Sequence, residues 1–269
     1  MSEVKAIQKA KVPVTLEIIK TDLRKLGIES GDILLVHSSL SKLGWVCGGP
    51  QTVIMALLEV LGDTGTLVMP SHSGDWSDPT HWAHPPVPSE WISIIKSSMP
   101  AYNPLLTASR GMGRIAELFR TLPSVKRSMH PQLSFSAHGP LADQIIDGKI
   151  LFPQLGMDSP LGKLYQNHAK VLLLGVGYDS NTSFHLAETL IPSISKNVCG
   201  AAMMVDGHRE WHEFTDINYD SSDFIDCGKA FDKKYTVSKD KVGYGTARCF
   251  RIEDAVNFAI EWISQHRKP

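Results

Sequence analysis

Four consecutive aliphatic residues, Val171-Leu172-Leu173-Leu174, closed by Gly175-Val176-Gly177, constrain this chain more than any other stretch. A short, wholly apolar run ended by glycines reads as a buried strand. The residues after it, Tyr178 to Glu188, turn polar and read as a loop and then a helix. Asn181, Thr182 or Ser183 can cap that helix, and Glu188 lies early in it. Strand, polar loop and helix start in succession are where an α/β sheet presents groups to a ligand. His185 and Glu188 are three apart, so on a helix they share a face and can hydrogen-bond. Asp179, at the strand end, is within reach of the same imidazole. An imidazole held by one or two carboxylates is a general-base arrangement. The competing reading is a buried histidine merely satisfied by a carboxylate; polar groups at a strand end favour a site.

The rest of the chain supports one intertwined α/β (α+β) domain over residues 1–269, with a mixed central sheet flanked by helices. Residues 15–26 carry Leu16, Ile19, Leu23 and Leu26 at helical spacing, with Gly27 as a stop. Ile33-Leu34-Leu35-Val36 and residues 65–69 read as further buried strands, each running into a polar loop. Pro50 is placed to open a helix through Leu61. Residues 75–88 are rich in Pro, Trp and His and read as a long irregular insertion. Short helices are expected at 91–98, 139–146 and 160–166, and an amphipathic one from Gly111 to Arg120. Residues 130–136, entered by Pro131, read as an edge strand. Residues 201–205 and 208–214 pair as a hairpin around Asp206-Gly207. A last strand is expected at 245–251 and a terminal helix at 254–266, while residues 1–12 read as a flexible N-terminus.

Composition excludes several classes. The formal net charge is -1, without the basic excess of a nucleic-acid binder. No stretch approaches the roughly 20 apolar residues of a membrane span. The N-terminus lacks an apolar signal core. Cys47, Cys199, Cys227 and Cys249 are scattered with no C-x-x-C pair, so neither a zinc knuckle nor a thioredoxin motif is supported, and a reducing cytoplasm fits. A cytoplasmic protein with no metal is expected. His81 and His84 lack a third ligand at a clear spacing. Residues 159–163 imitate a phosphate-binding loop, but the spacing is wrong and Leu164 stands where Ser or Thr is needed. Residues 111–116 fit a dinucleotide fingerprint, but Pro104 disfavours a preceding central strand and no Asp or Glu occurs between Glu117 and Asp143 to hold a ribose. His185-Leu186-Ala187-Glu188 lacks the second histidine of a zinc protease, because Thr189 follows.

Two other loops carry chemistry. His37-Ser38-Ser39-Leu40-Ser41 places three hydroxyls just past a buried strand, able to bind an anion or amide, or simply to form a serine-rich turn. Ser109 and Arg110 are a second candidate anion site or an exposed capping turn. Asp75, Asp78 and residues 213–226, with five acids and no Lys or Arg, are either the walls of an acidic cleft or a solvated face.

Taken together and in order, V-H-S-S-L-S-x-L-G-W, G-T-L-V-M-P-S, S-R-G-M-G-R-I-A-E-L-F-R, R-S-x-H-P, S-P-L-G-K-L and L-L-G-V-G-Y-D-x-N-T-S-F-H-L-A-E resemble the aminoglycoside N(3)-acetyltransferase family, in particular its Bacillus-type, YokD-like branch. The resemblance runs from about Val14 to the terminal helix. It implies an antibiotic N-acetyltransferase-like fold, distinct from the GNAT acetyltransferases, and acetyl-CoA as cosubstrate. It implies that His37, Ser38, Ser39, Leu40, Ser41 and Leu43 line the pantetheine and phosphate region of CoA, completed by Thr107, Ser109 and Arg110. It makes His185 the catalytic base, held by Glu188 and Asp179, with Asp75, Asp179 and Glu188 facing the amine. The implied substrate is a 2-deoxystreptamine antibiotic acetylated at its 3-amino group, and the implied assembly a monomer or homodimer. Two alternatives stay open: an acetyltransferase for another small amine or metabolite, and a CoA-binding protein without transferase activity.

Overall fold

The structure, a computed structural model, describes residues 3–147 and 152–267. In chain order its helices and strands are α1 (Glu3–Lys9), α2 (Leu16–Lys25), β1 (Ile33–Ser38), α3 (Pro50–Leu61), β2 (Thr66–Pro70), α4 (Ile92–Ser98), α5 (Gly113–Phe119), β3 (Lys126–Arg127), β4 (Phe135–His138) and α6 (Ala142–Ile146). They continue as α7 (Pro160–Gln166), β5 (Lys170–Leu174), α8 (Ser183–Thr189), β6 (Lys196–Val205), β7 (His208–Ile217), α9 (Phe224–Lys234), β8 (Ser238–Val242), β9 (Gly245–Arg251) and α10 (Ile252–His266).

Among the described residues, seven strands form one mixed sheet in the order β3-β4-β2-β1-β5-β9-β8. β1 lies at its centre, parallel to both β2 and β5, and the outer strands run antiparallel to their neighbours. The run Val171–Leu174 is apolar throughout because both faces of β5 are covered. Val171 and Leu173, with Leu35 and Val68, face a core that includes Leu161 and Leu164 of α7, Phe184 of α8, Phe231 of α9 and Val256 of α10. Leu172 and Leu174, with Leu34, Val36 and Met69, face the opposite core, built on Leu23 of α2, Leu57 of α3 and Ile115 of α5. Successive side chains on a strand alternate between faces, so one strand feeds both cores. Each fully buried Leu or Phe of this kind is worth about 1.5–3 kcal/mol of transfer free energy.

β6 and β7 stand apart as a two-stranded hairpin, longer than the sequence pattern indicates. Asp206 and Gly207 turn it with φ of 47° and 81°, the two left-handed residues that a tight hairpin turn requires.

The expectations for residues 130–136 and for the stretch after the acidic run are corrected. The strand expected at 130–136 begins only at Phe135 and is internal, between β2 and β3. His130 prevents an earlier start, because its Nδ1 accepts the backbone N–H groups of Gln132 and Leu133 and so closes a turn. Within residues 1–12, Glu3–Lys9 form α1, whose Ala6 is buried; Met1 and Ser2 lie outside the described residues. α9 and β8 follow the acidic run, where no element was expected. α9 packs against the loop after β5 through Gly228, where a Cβ would fall 2.0 Å from the Tyr178 ring. Among the described residues, no helix is long and apolar enough to cross a membrane.

Candidate active site

The parallel strands β1, β2 and β5 end on the same side of the sheet, and a cavity of about 850 Å³ opens there. Ends of parallel strands are where an open α/β sheet leaves a crevice for ligands. Ser38, Ser39, Leu40 and Ser41 line it from β1, His72 from the loop after β2, and Asp179, Ser180, Asn181, Thr182 and His185 from the loop and helix after β5.

α8 is started by Asn181, whose side-chain oxygen accepts from the Ser183 hydroxyl at 2.8 Å and from the Ser183 N–H at 3.4 Å. Phe184, Leu186 and Ala187 bury the other faces of the helix, which fixes His185 on the cavity wall. His185 Nδ1 lies 2.5 Å from Glu188 Oε2. Glu188 has no exposed surface. An ionised carboxylate can only accept, so Nδ1 carries the proton and donates it, leaving Nε2 with its lone pair free. The ring is held by Phe224 and Tyr219, with centroids 4.7 and 5.3 Å away. The other carboxylate oxygen of Glu188 accepts from the Asp220 N–H at 3.1 Å and from Arg267.

Asp179 stands differently. It is exposed at the cavity wall, and among the described residues no hydrogen bond joins it to His185. Glu188 is therefore the carboxylate that orients the imidazole, and among the described residues Asp179 is the single acid that lines the cavity.

Two further histidines border the cavity. Burial holds His37 down at about 3, with the nearby His185 adding to the effect. Burial also holds His72 at about 3, reinforced by His37, His185, His130 and Arg127. Both are neutral near pH 7, so neither adds charge beside His185.

The remaining expected site residues fall into place unevenly. Ser39 and Ser41 hydroxyls lie 3.4 Å apart at the cavity wall. Leu43, by contrast, is fully buried in the core beneath it. Thr107 is also buried away from the cavity: its hydroxyl accepts from Asn103 N–H at 3.1 Å and its carbonyl accepts from Arg127. Ser109 gives both its N–H and hydroxyl to Glu117, at 2.9 and 2.5 Å. Burial alone would raise the Glu117 carboxyl, but these bonds and those from Arg120 outweigh it and bring it to about 2. Arg110 is ion-paired with Asp75, so the expected anion contact and the expected amine contact neutralise each other outside the cavity lining.

Arg114, which the sequence reading passed over, lines the cavity instead. The turn into α5 brings it there: Gly111 and Gly113 have φ of 76° and 84°, and a Cβ on Gly113 would lie 3.5 Å from the Ser38 carbonyl oxygen. Tyr219 was also missed. It lines the cavity while its hydroxyl donates to Asp216 at 3.3 Å.

The acidic run does not form a wall. Asp216 is buried, Asp220 caps Ser222, Asp223 binds Arg267 and Asp226 pairs with Lys229. Asp78, also buried, pairs with Lys96 at 2.7 Å. Beneath the site, the buried guanidinium of Arg127 donates to Ser71 O, Ser73 Oγ, Ser134 Oγ and the carbonyls of Pro104 and Thr107, tying the loop after β2 to the 104–107 loop. Among the described residues, no group of three His, Cys, Asp or Glu is placed to hold a metal ion.

A carboxylate-held imidazole on a cavity of this size is equipped to take a proton from a bound nucleophile. Comparison with known proteins gives the family. The family model described as aminoglycoside 3-N-acetyltransferase matches residues 35–264. This chain belongs to that family. It is 46% identical over 260 residues to the SPbeta prophage-derived aminoglycoside N(3')-acetyltransferase-like protein YokD of Bacillus subtilis (strain 168), covering 96% of each chain. The crystal structure of YokD superposes with a TM-score of 0.95 at 44% identity, covering 98% of this chain and 100% of that one. Aminoglycoside N(3)-acetyltransferase VIII of Streptomyces fradiae is 35% identical over 98% of this chain and 96% of its own. A structure of AAC-IIIb, binary with CoASH, matches at a TM-score of 0.83 and 25% identity, covering 96% of this chain and 100% of that one. The aminoglycoside 3-N-acetyltransferase family membership makes this protein an acyltransferase of that type, on the mixed α/β fold just described.

Proposed function

We propose that this protein transfers the acetyl group of acetyl-CoA to the 3-amino group of a 2-deoxystreptamine aminoglycoside, with His185 as the general base. The observation that carries the reading is the His185–Glu188 hydrogen bond on the wall of the cavity. An amine at neutral pH is mostly ammonium and must lose one proton to solvent before it can attack a thioester; a second leaves the nitrogen as the new bond forms. With Nδ1 committed to Glu188, Nε2 of His185 accepts the proton from the attacking nitrogen, and the Glu188 carboxylate stabilises the imidazolium that forms. The new C–N bond forms at the acetyl carbon, the C–S bond breaks, and His185 returns its proton to the departing sulfur.

The other cavity residues fit the same reading. Ser38, Ser39 and Ser41 line the cavity, and their hydroxyls are the donors this reading assigns to the developing oxyanion. Arg114 supplies a cation for the phosphates of CoA, in the role expected of Arg110. Asp179 faces the cavity as an acceptor for an ammonium group of the substrate. The cavity volume, about 850 Å³, suits a pantetheine arm and part of a sugar amine together. AAC-IIIb, solved binary with CoASH, supports the choice of acyl carrier. No enzyme nucleophile is needed for direct transfer, and burial raises the thiols of Cys227 and Cys249, each to about 12, which makes them poor nucleophiles.

The test is thiol release from acetyl-CoA across a panel of aminoglycosides and small metabolite amines, with the acetylated nitrogen located by mass spectrometry or NMR. Turnover confined to aminoglycosides, with acetyl on the 3-amino group, supports the proposal. Turnover only with small amines replaces the substrate, and saturable CoA binding without turnover on any amine removes the activity.

A further inference from the structure

Glu188 is held from behind by a group far away in sequence. Arg267, just past the end of α10, donates from Nη1 to Glu188 Oε1. Its Nε and Nη2 grip Asp223 in a fork, at 2.8 and 2.6 Å, and Nη2 also donates to the Asp220 carbonyl at 2.6 Å. The guanidinium lies over the Phe224 ring, which itself packs against His185. Burial works against the charge on Arg267, but the bonds to Asp223 and Glu188 outweigh it and keep the guanidinium firmly protonated.

An ionised carboxylate removed from water needs a counter-charge, and a neutral imidazole cannot supply one. Arg267 is the cation in contact with Glu188. Its planar fork also fixes position: one edge is locked to Asp223 at the start of α9, so the remaining donor can only sit where Glu188 Oε1 is.

The geometry points to Arg267 as a positioning residue for acetyl transfer, acting through Glu188 to hold His185 in register. The inference rests on the His185–Glu188 reading proposed above. Arg267 is not among the residues that line the cavity. Its effect reaches the reaction only through the carboxylate.

A double-mutant cycle on the full-length enzyme tests this, with thiol release from acetyl-CoA as the readout. Arg267→Ala lowers kcat by about 10- to 100-fold with KM for acetyl-CoA and amine changed less than about 3-fold, because a small displacement of a catalytic group costs rate rather than binding. In a Glu188→Gln background the same substitution costs less than about 3-fold, since its target has already lost its charge. Arg267→Lys, which keeps the cation without the fork, retains part of the activity. An equal loss from Arg267→Ala in both backgrounds, or no loss at all, overturns the inference. If the alanine variant does not fold, Arg267→Gln carries the same comparison. No loss from Glu188→Gln alone is a different result: it overturns the His185–Glu188 reading itself.

Discussion

Glu188 sits directly behind His185, its carboxylate oxygen 2.5 Å from Nδ1 and its own surface wholly buried. Two residues three apart on one short helix thus combine a cavity-facing base with a carboxylate that solvent cannot reach. The pair needs no loop movement to assemble, and its geometry leads to the following outcomes.

Glu188→Gln keeps the size of the side chain and removes its charge. The amide no longer stabilises an imidazolium and can present either a donor or an acceptor to Nδ1, so the tautomer is no longer fixed. kcat is expected to fall by about 100-fold, with KM for acetyl-CoA little changed. Steady-state kinetics check this; a loss confined to KM would contradict it.

Arg114 and Arg110 separate cleanly. Arg114 lines the cavity, whereas Arg110 is tied to Asp75. Arg114→Ala is expected to raise KM for acetyl-CoA by about 5- to 30-fold, the loss of one charge-assisted phosphate contact. Arg110→Ala is expected to change it less than about 2-fold, as an exposed pair contributes little. Steady-state kinetics read both, with calorimetric titration of CoA giving the matching change in Kd, and the reverse order would restore Arg110 as the phosphate ligand.

Asp179→Asn removes the carboxylate that the cavity lining presents to a cationic amine. KM for the amine is expected to rise by about 3- to 30-fold while kcat stays within about 3-fold, because Asp179 is not bonded to His185. A kcat loss as large as that of Glu188→Gln would make Asp179 a second orienting group.

Acid stability follows from the buried histidines. His37, His72 and His130 are each held at about 3 by burial, against an ordinary value of 6.5. Between those values the unfolded chain binds protons that the folded one does not, so stability present above pH 6.5 is lost as pH falls toward 3. The loss is at most about 1.4 kcal/mol per pH unit for each histidine. His130→Asn keeps a side-chain acceptor for the N–H groups of Gln132 and Leu133 and removes one titration. Urea denaturation between pH 7 and 5 is expected to show a shallower decline for this variant than for the parent; equal declines would contradict the assignment.

What could be read from the chain depended on how local each signal is. The run Val171–Leu174 announced a strand buried on both faces, because both cores draw on it. His185 and Glu188 were legible as a pair because helical spacing alone brings them together. Which carboxylate holds the imidazole was not, since Asp179 also lies close by in the chain, in the loop before the helix, and only the direction of that loop decides. Leu43, Thr107 and Ser109 lie beside the site in the chain, yet their side chains are taken up by the core, Asn103 and Glu117. Arg114, Tyr219 and Arg267 reach the site or its support through turns and contacts that no spacing rule contains. Arg267 meets Glu188 across 79 positions. The acids from 213 to 226 look like one surface in sequence, but a strand, a turn and a helix send them to separate partners.

The account stands most directly on one measurement: thiol release by His185→Ala with an accepted amine, paired with CoA binding by calorimetry. The prediction is a fall in turnover of at least about 100-fold with CoA affinity unchanged within about 3-fold, since His185 supplies proton transfer and not the acyl-carrier contacts. Turnover equal to the parent enzyme would contradict it and remove His185 from the mechanism.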